Sequence, residues 1–389
     1  MYRQSLFFLA ILFFMMGLIT CLNDILVPYF KEIFQLDYSR AALVQFSFFG
    51  AYGLASIPAS LFIERYGYQR GMIQGFLLAS AGCLLFFPAV LFHTYSLFLA
   101  ALFVLATGIV MLQVAGNPFV SLLGPPQGAS SRLSMVQAFN SFGTFIAPLF
   151  GSYFILTKLS PQQTQADGLR YPYMILAVLL LVLALVLSRS RFPPLPFQQK
   201  PHHNGSWREA FKHKRLFLGM LAIFSYVGAE VAIGSFMVNY VMERMKMEET
   251  QAATMVAIYW GGAMAGRFMG IFTLKEFRPG KVLLIHALLA ISLILISINS
   301  YGLRSVYSIV LVGVCNSIMF PTIFSLSIRD LDDHLVQKGS GLLSTAIIGG
   351  AFTPYLMGLV ADAVGLRVAF LFPIFTFPGV VGTTSAENF

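Results

Sequence analysis

The chain has 389 residues, of which 57% are hydrophobic and only 11% are charged. A water-soluble globular protein has about 45–50% apolar and about 25% charged residues, so a single soluble core is excluded. The formal net charge is +9, but the basic residues lie between apolar runs and form no strip interleaved with aromatic residues, which argues against a nucleic-acid partner. The composition indicates an all-α integral membrane protein.

Apolar runs of about 20 residues, the length that a helix needs to cross a bilayer, recur along the whole chain. The first run has no small-residue cleavage site and many similar runs follow it, so we interpret it as a retained span and not a signal peptide. About twelve spans are predicted, at 5–30, 41–62, 71–92, 96–123, 133–157, 172–189, 216–242, 251–274, 282–299, 303–328, 339–361 and 366–383.

The longest polar stretch, SRSRFPPLPFQQKPHHNGSWREAFKHKR, separates the sixth and seventh spans and has the proline-rich, basic composition of a linker. It divides the chain into an N-terminal bundle at 1–192, a cytoplasmic linker at 193–215 and a C-terminal bundle at 216–383. A polar tail at 384–389 follows, from which we infer nothing. Placing both termini and the linker in the cytoplasm puts 17 of the 25 Lys and Arg residues there, as the positive-inside rule requires.

The two predicted halves repeat one another. GTFIAP at 143–148 in span five is matched by GGAFTP at 349–354 in span eleven, an offset of 206 residues. Pro118 in span four and Pro321 in span ten are offset by 203 residues. Two six-span halves that pack through small residues are typical of a transporter with its binding site between the halves near the midplane.

Only two of the 16 acidic residues, Asp24 and Glu230, lie well inside predicted spans, and they too are 206 residues apart. A charge at the bilayer centre costs about 2.5–3.5 kcal/mol on insertion scales. Arg267, near the inner end of span eight, is expected to lie too far away to pair with Glu230. We therefore expect both acids to face the central cavity and to be protonated part of the time. The alternative for each is a permanently neutral acid that makes an interhelical hydrogen bond.

Polar side chains inside the spans are candidate substrate contacts. Amides both donate and accept hydrogen bonds, which suits a neutral polyhydroxylated ligand, and Trp260 is a candidate platform for a sugar ring. Tyr259 is expected to pack between helices. For each amide alone the alternative is a bond between helices, worth about 0.6 kcal/mol. The candidates are Asn23, Gln113, Asn117, Gln137, Asn140, Glu230 and Asn316.

Motifs for catalysis are weak. RDLDDH at 329–334 resembles a carboxylate cluster for a metal, but it falls in a predicted cytoplasmic loop, and we expect it to be solvated. We predict no metal and no cofactor. Two other function classes stay open: a membrane enzyme acting on lipid-linked sugars, which would need Asp332 and Asp333, and a sugar sensor with a transporter fold.

Several stretches together resemble the fucose permease and glucose/galactose permease group of the major facilitator superfamily. They cover both halves of the chain: LNDILVPYF, LQVAGNPFVSLLG, VQAFNSFGTFIAP, YVGAEVAIGSFMVNY, YWGGAMAGRF, FPTIFSLSI and GLLSTAIIGGAFTPYLMGLVAD. The resemblance implies two pseudo-symmetric six-helix bundles, a bacterial cytoplasmic membrane, and sugar:proton symport by alternating access.

The same resemblance assigns roles to single residues. Asp24 matches the carboxylate thought to carry the coupling proton, and Gln137 matches an amide of the sugar cavity. Fucose permeases have Glu where this chain has Gln113, which places the chain nearer the glucose/galactose branch.

We therefore expect a monomeric importer of a neutral hexose, glucose or galactose, in contact with lipid and coupled to H+. L-fucose as substrate and Na+ as coupling ion are the alternatives within the same fold.

Overall fold

The computed structural model describes residues 2–35, 43–151, 169–190, 206–246 and 248–375, although some side chains within these helices, including those of Asn23 and Asp24, lie outside the described part. Helices dominate these ranges. They are α1 Tyr2–Ile33, α2 Leu43–Tyr66, α3 Tyr68–Leu91, α4 Tyr95–Leu122, α5 Ala129–Gly151, α6 Arg170–Arg189, α7 Trp207–Lys212, α8 Lys214–Met245, α9 Glu249–Glu276, α10 Pro279–Asn299, α11 Gly302–Asn316, α12 Met319–Ile328, α13 Asp333–Thr345, α14 Gly349–Val364 and α15 Leu366–Ala369.

Ten helical stretches within the described ranges are long and apolar enough to cross a membrane. Most of their bounds lie within a few residues of the predicted spans, because apolar length alone sets a spanning helix. Span five corresponds to α5, and span twelve is described only as the shorter apolar helix Leu366–Phe375. Part of the predicted linker and the whole predicted tail lie outside the described residues.

Span ten is not the single helix that we predicted for 303–328. It breaks at Ser317 and Ile318, between α11 and α12. Pro321 has no N–H to donate to the carbonyl four residues earlier, which is that of Ser317, and its ring crowds that carbonyl. The break therefore lies at the carbonyl that lacks its helical hydrogen bond, one turn before Pro321.

Span eleven begins earlier than predicted and is also interrupted. α13 starts at Asp333, and a 3-10 turn at Ala346–Ile348 separates it from α14. α14 starts at Gly349, where a Cβ atom would collide with the backbone carbonyl of Phe224. The repeat-related Gly143 meets the carbonyl of Phe14 in the same way. Each half thus packs its fifth spanning segment against its first through a glycine.

Contacts divide the chain into two units. The first consists of Met1–Val120, Phe139–His202 and Ser340–Thr345, and the second of Ser121–Ala138, His203–Gly339 and Ala346–Phe389. Each unit takes a short segment from the other sequence half: the first takes part of α13, and the second takes the start of α5. The boundaries predicted from the sequence stay a prediction.

Small and polar residues hold the helices of the first unit together. A Cβ at Gly82 or Gly108 of the α3–α4 contact would overlap the backbone of Leu105 or Ala79. The α3–α6 contact uses a hydrogen bond from Ser80 Oγ to the Ala177 carbonyl, 2.9 Å long. Helices in lipid gain little from the hydrophobic effect, so close backbone approach and such hydrogen bonds stabilise their association.

Candidate functional site

Glu230 lies in the middle of α8 and is 9% exposed. Its Oε1 atom is 3.8 Å from Nη2 of Arg267 in α9, and the two side chains are only 12% and 13% exposed. The expectation that Arg267 is too distant to pair was therefore wrong. Helical side chains lean toward the helix N-terminus, so a residue near the end of α9 carries its guanidinium back toward the centre of the span.

Arg267 also joins the broken span ten to its neighbours. Its Nε donates to the carbonyl of Ser317 over 3.3 Å, which is the carbonyl that Pro321 leaves without a helical donor. Its own carbonyl accepts a hydrogen bond of 3.1 Å from Ser134 Oγ. One arginine thus faces a buried carboxylate and satisfies a carbonyl that the helix break has exposed.

A tyrosine connects Glu230 with Asn316 of α11. The hydroxyl of the completely buried Tyr259 accepts from Asn316 Nδ2 at 2.9 Å and donates to the backbone carbonyl of Glu230 at 3.5 Å. Glu230 Oε1 and Asn316 Oδ1 are buried and make no hydrogen bond within the described residues. Tyr259 packs between helices, as expected. Its hydroxyl links Glu230 and Asn316, each of which carries a buried acceptor without a hydrogen bond in the described residues.

Trp260 lies at the edge of this cluster. It is 36% exposed, and its ring meets that of Tyr259 edge-on with the centroids 5.1 Å apart. A Cβ on Gly234 of α8 would lie 3.0 Å from the indole. The indole is therefore held on one side and partly accessible on the other, as a stacking platform for a sugar requires.

Two of the predicted amides lie on α4. Asn117 is completely buried, whereas Gln113 is half-buried and its Oε1 makes no hydrogen bond within the described residues. Buried acceptors that lack a hydrogen bond are uncommon in proteins, which makes Gln113 a candidate for a ligand contact.

Two further predicted amides lie on α5. Asn140 Nδ2 donates to the carbonyl of Phe13 in α1 over 3.0 Å, so it links two helices. Gln137 is buried. The side chains of Asn23 and Asp24 lie outside the described residues, so their predicted roles stay predictions.

Sequence reasoning missed Ser340. Its Oγ donates to the carbonyl of Val114 over 3.0 Å. That carbonyl lies four residues before Pro118, so the proline leaves it without a helical donor. Ser340 is the repeat counterpart of Ser134, 206 residues earlier. The repeat offset of 206 residues could therefore have indicated Ser340.

The RDLDDH segment is an exposed turn between α12 and α13, as expected: Arg329, Asp330 and Asp332 are all exposed. Asp330 forms an ion pair with Arg215 and lies 3.6 Å from Arg329. Asp332 and His334 lie near Glu209 of α7, with their possible ligand atoms within 4.8 Å of one another.

The short helix α7 was missed as well. Its N-terminus carries a capping box in which Ser206 and Glu209 bond reciprocally. The S-x-x-E pattern in SWRE is the signal for it.

Residues 7–347 match the Major Facilitator Superfamily. The chain belongs to the Major Facilitator Superfamily. It is 44% identical to the "Glucose/galactose transporter" of Brucella abortus biovar 1, over 99% of this chain and 95% of that protein. It is 35% identical to the "L-fucose-proton symporter" of Escherichia coli K12, over 95% of this chain and 90% of that protein.

The solved structures agree with this placement in the superfamily. A crystal structure of a superfamily transporter, FucP, in the outward conformation matches with a TM-score of 0.90 at 33% identity, over 99% of both chains. The major facilitator fold predicted from the sequence is confirmed. Because these relatives are transporters, the interpretation as a membrane enzyme is wrong.

Proposed function

We propose that this superfamily member imports a neutral hexose, glucose or galactose, by proton symport. The observation that carries the proposal is the cluster of Glu230 and Asn316, whose buried Oε1 and Oδ1 atoms make no hydrogen bond within the described residues, with the partly exposed Trp260 at its edge. A buried acceptor left unpaired costs about 1–3 kcal/mol, and a sugar hydroxyl that donates to it removes that cost. The identity of 44% to a glucose/galactose transporter supports the substrate class.

In this proposal Glu230 binds the sugar and Asp24 carries the coupling proton. Glu230, buried in α8 with the guanidinium of Arg267 3.8 Å away, offers its carboxyl oxygens to the sugar hydroxyls. Asp24 carries the proton in this proposal, because the position of the first half that matches Arg267 is Leu61, so the repeat supplies no arginine there. Protonation of Asp24 lowers the cost of enclosing the sugar in a drier cavity, and its release on the cytoplasmic side completes the cycle by alternating access.

Asp24→Asn in proteoliposomes tests the coupling. An asparagine cannot carry a proton, so accumulation of radiolabelled glucose or galactose against its gradient, driven by an inward pH gradient, should disappear. Exchange of internal for external sugar should persist, because the binding groups remain. If the variant still accumulates sugar uphill under a pH gradient, Asp24 is not the proton carrier. If the wild type accumulates sugar only under a Na+ gradient, the coupling ion is Na+ and not H+.

A further inference from the structure

A cleft with a volume of about 810 Å³ lies within the second unit. Its walls are the end of α9, the start of α10, the turn before α5, and the end of α12. None of the predicted sugar-binding residues lines it. By the positive-inside rule its loops belong to the cytoplasmic side.

The cleft is strongly basic. Lys275, Arg278, Lys281 and Arg329 line it, against the single acid Glu276. The first three bases are exposed and form no ion pair within the described residues. Arg329 is partly balanced by Asp330, 3.6 Å away. Three cations without an ion pair in the described residues, against one acid, leave a net positive potential on this concave surface.

The start of α10 adds to this field. The helix begins at Pro279 with Arg278 as its N-cap, makes no side-chain capping bond and has no acidic residue in its first turn. The N-terminus of a 21-residue helix carries a positive partial charge that favours anions. Two serine hydroxyls, Ser130 and Ser325, lie 2.6 Å apart on the opposite wall and offer further polar contacts.

We propose that this cleft binds a phosphate-bearing anion. A guanidinium matches two phosphate oxygens at once, and the two ammonium groups add charge-assisted hydrogen bonds. The phosphate has two possible sources: the headgroup of an anionic lipid such as phosphatidylglycerol, or a free phosphate compound of the cytoplasm. Phe277, which also lines the cleft, is 66% exposed and offers a lipid chain an apolar surface.

Thermal unfolding of the purified full-length protein in detergent tests the proposal. One arm adds phosphatidylglycerol and compares it with phosphatidylcholine. The other arm adds inorganic phosphate and compares it with chloride at equal ionic strength. We expect one of the two phosphate compounds to raise the Tm, because a ligand that binds only the folded state stabilises it. The arm that responds identifies the source.

The triple variant Lys275→Gln, Arg278→Gln, Lys281→Gln should lose more than half of that Tm shift. The matched control removes one arginine and two lysines elsewhere, by Arg208→Gln, Lys212→Gln and Lys214→Gln, and should keep the shift. If the triple cleft variant does not fold, Lys281→Gln alone should still lower the shift. Native mass spectrometry counts the lipids retained by each variant and should find one fewer phosphatidylglycerol in the cleft variant if the lipid arm responds.

Two results would overturn the proposal: a wild-type protein whose Tm moves in neither arm, or a cleft variant whose shift equals that of the control variant. Sugar transport is not the readout, so failure of the proposed sugar or coupling ion leaves this test intact.

Discussion

A cation lies beside one of the two repeat-related acids. Arg267 of α9 lies 3.8 Å from Glu230, whereas the position 206 residues earlier, on the matching helix α2, is Leu61. The arginine beside Glu230 is therefore not reproduced by the repeat.

Arg267→Gln should destabilise the protein by about 3–5 kcal/mol, because it leaves Glu230 buried without its counter-charge. The double variant Arg267→Gln, Glu230→Gln should recover the part of the loss that comes from the unpaired charge, but not the part that comes from the lost bond of Arg267 Nε to the Ser317 carbonyl. Denaturant unfolding of both variants in the same detergent measures the two effects. Equal stability of Arg267→Gln and the wild type would mean that the pair contributes nothing to the folded state.

At the scale of helices, two prolines each remove the N–H donor of a backbone carbonyl, and a polar side chain donates to each of these carbonyls instead. Pro118 exposes the Val114 carbonyl, which accepts from Ser340 Oγ. Pro321 exposes the Ser317 carbonyl, which accepts from Arg267 Nε. In lipid an unsatisfied carbonyl costs several kcal/mol, so a proline within a spanning segment requires such a donor nearby.

Ser340→Ala should lower the free energy of unfolding by about 1–3 kcal/mol, since the buried hydrogen bond from Ser340 to the Val114 carbonyl would be lost. Ser344→Ala is the matched control. Ser344 lies one turn further along α13, is completely buried, and its Oγ makes no hydrogen bond within the described residues. Its replacement should leave the free energy of unfolding unchanged or slightly higher. Identical losses in the two variants would contradict the role given to Ser340.

At the scale of the whole molecule, the fold is that of a family of transporters whose relatives differ in their substrates. The glucose/galactose transporter and the L-fucose-proton symporter both align over nearly the whole chain, at 44% and 35% identity. The fold alone therefore does not select the sugar, because substrate choice depends on a few polar side chains within a shared scaffold.

A panel of sugars in a thermal-shift experiment at an acidic and an alkaline pH should separate these substrates. We expect glucose or galactose to raise the Tm and L-fucose to leave it unchanged. The shift should be larger at the acidic pH, because protonation of Asp24 lowers the cost of enclosing the sugar. Stabilisation by L-fucose alone would indicate an L-fucose transporter. Equal Tm shifts at both pH values would argue against a coupled proton.

The sequence by itself determined the membrane class, most of the spans and the two-fold repeat. Each of these follows from local properties of the chain: apolar length sets a spanning helix, and the offset of 206 residues appears in the letters alone. The short helix α7 could also have been recognised, because a capping box involves only neighbouring residues.

Only the tertiary structure decided which polar groups meet. The pairing of Glu230 with Arg267, the bridge through Tyr259 to Asn316, and the bond from Ser340 to Val114 join residues between 29 and 226 positions apart. Such contacts depend on the direction in which side chains lean and on which helices are neighbours, and neither is visible in the hydropathy of a single segment. For the same reason the sequence did not show that the amide nitrogen of Asn140 bonds to the backbone of α1. The role of Asn140 as a sugar contact stays a prediction.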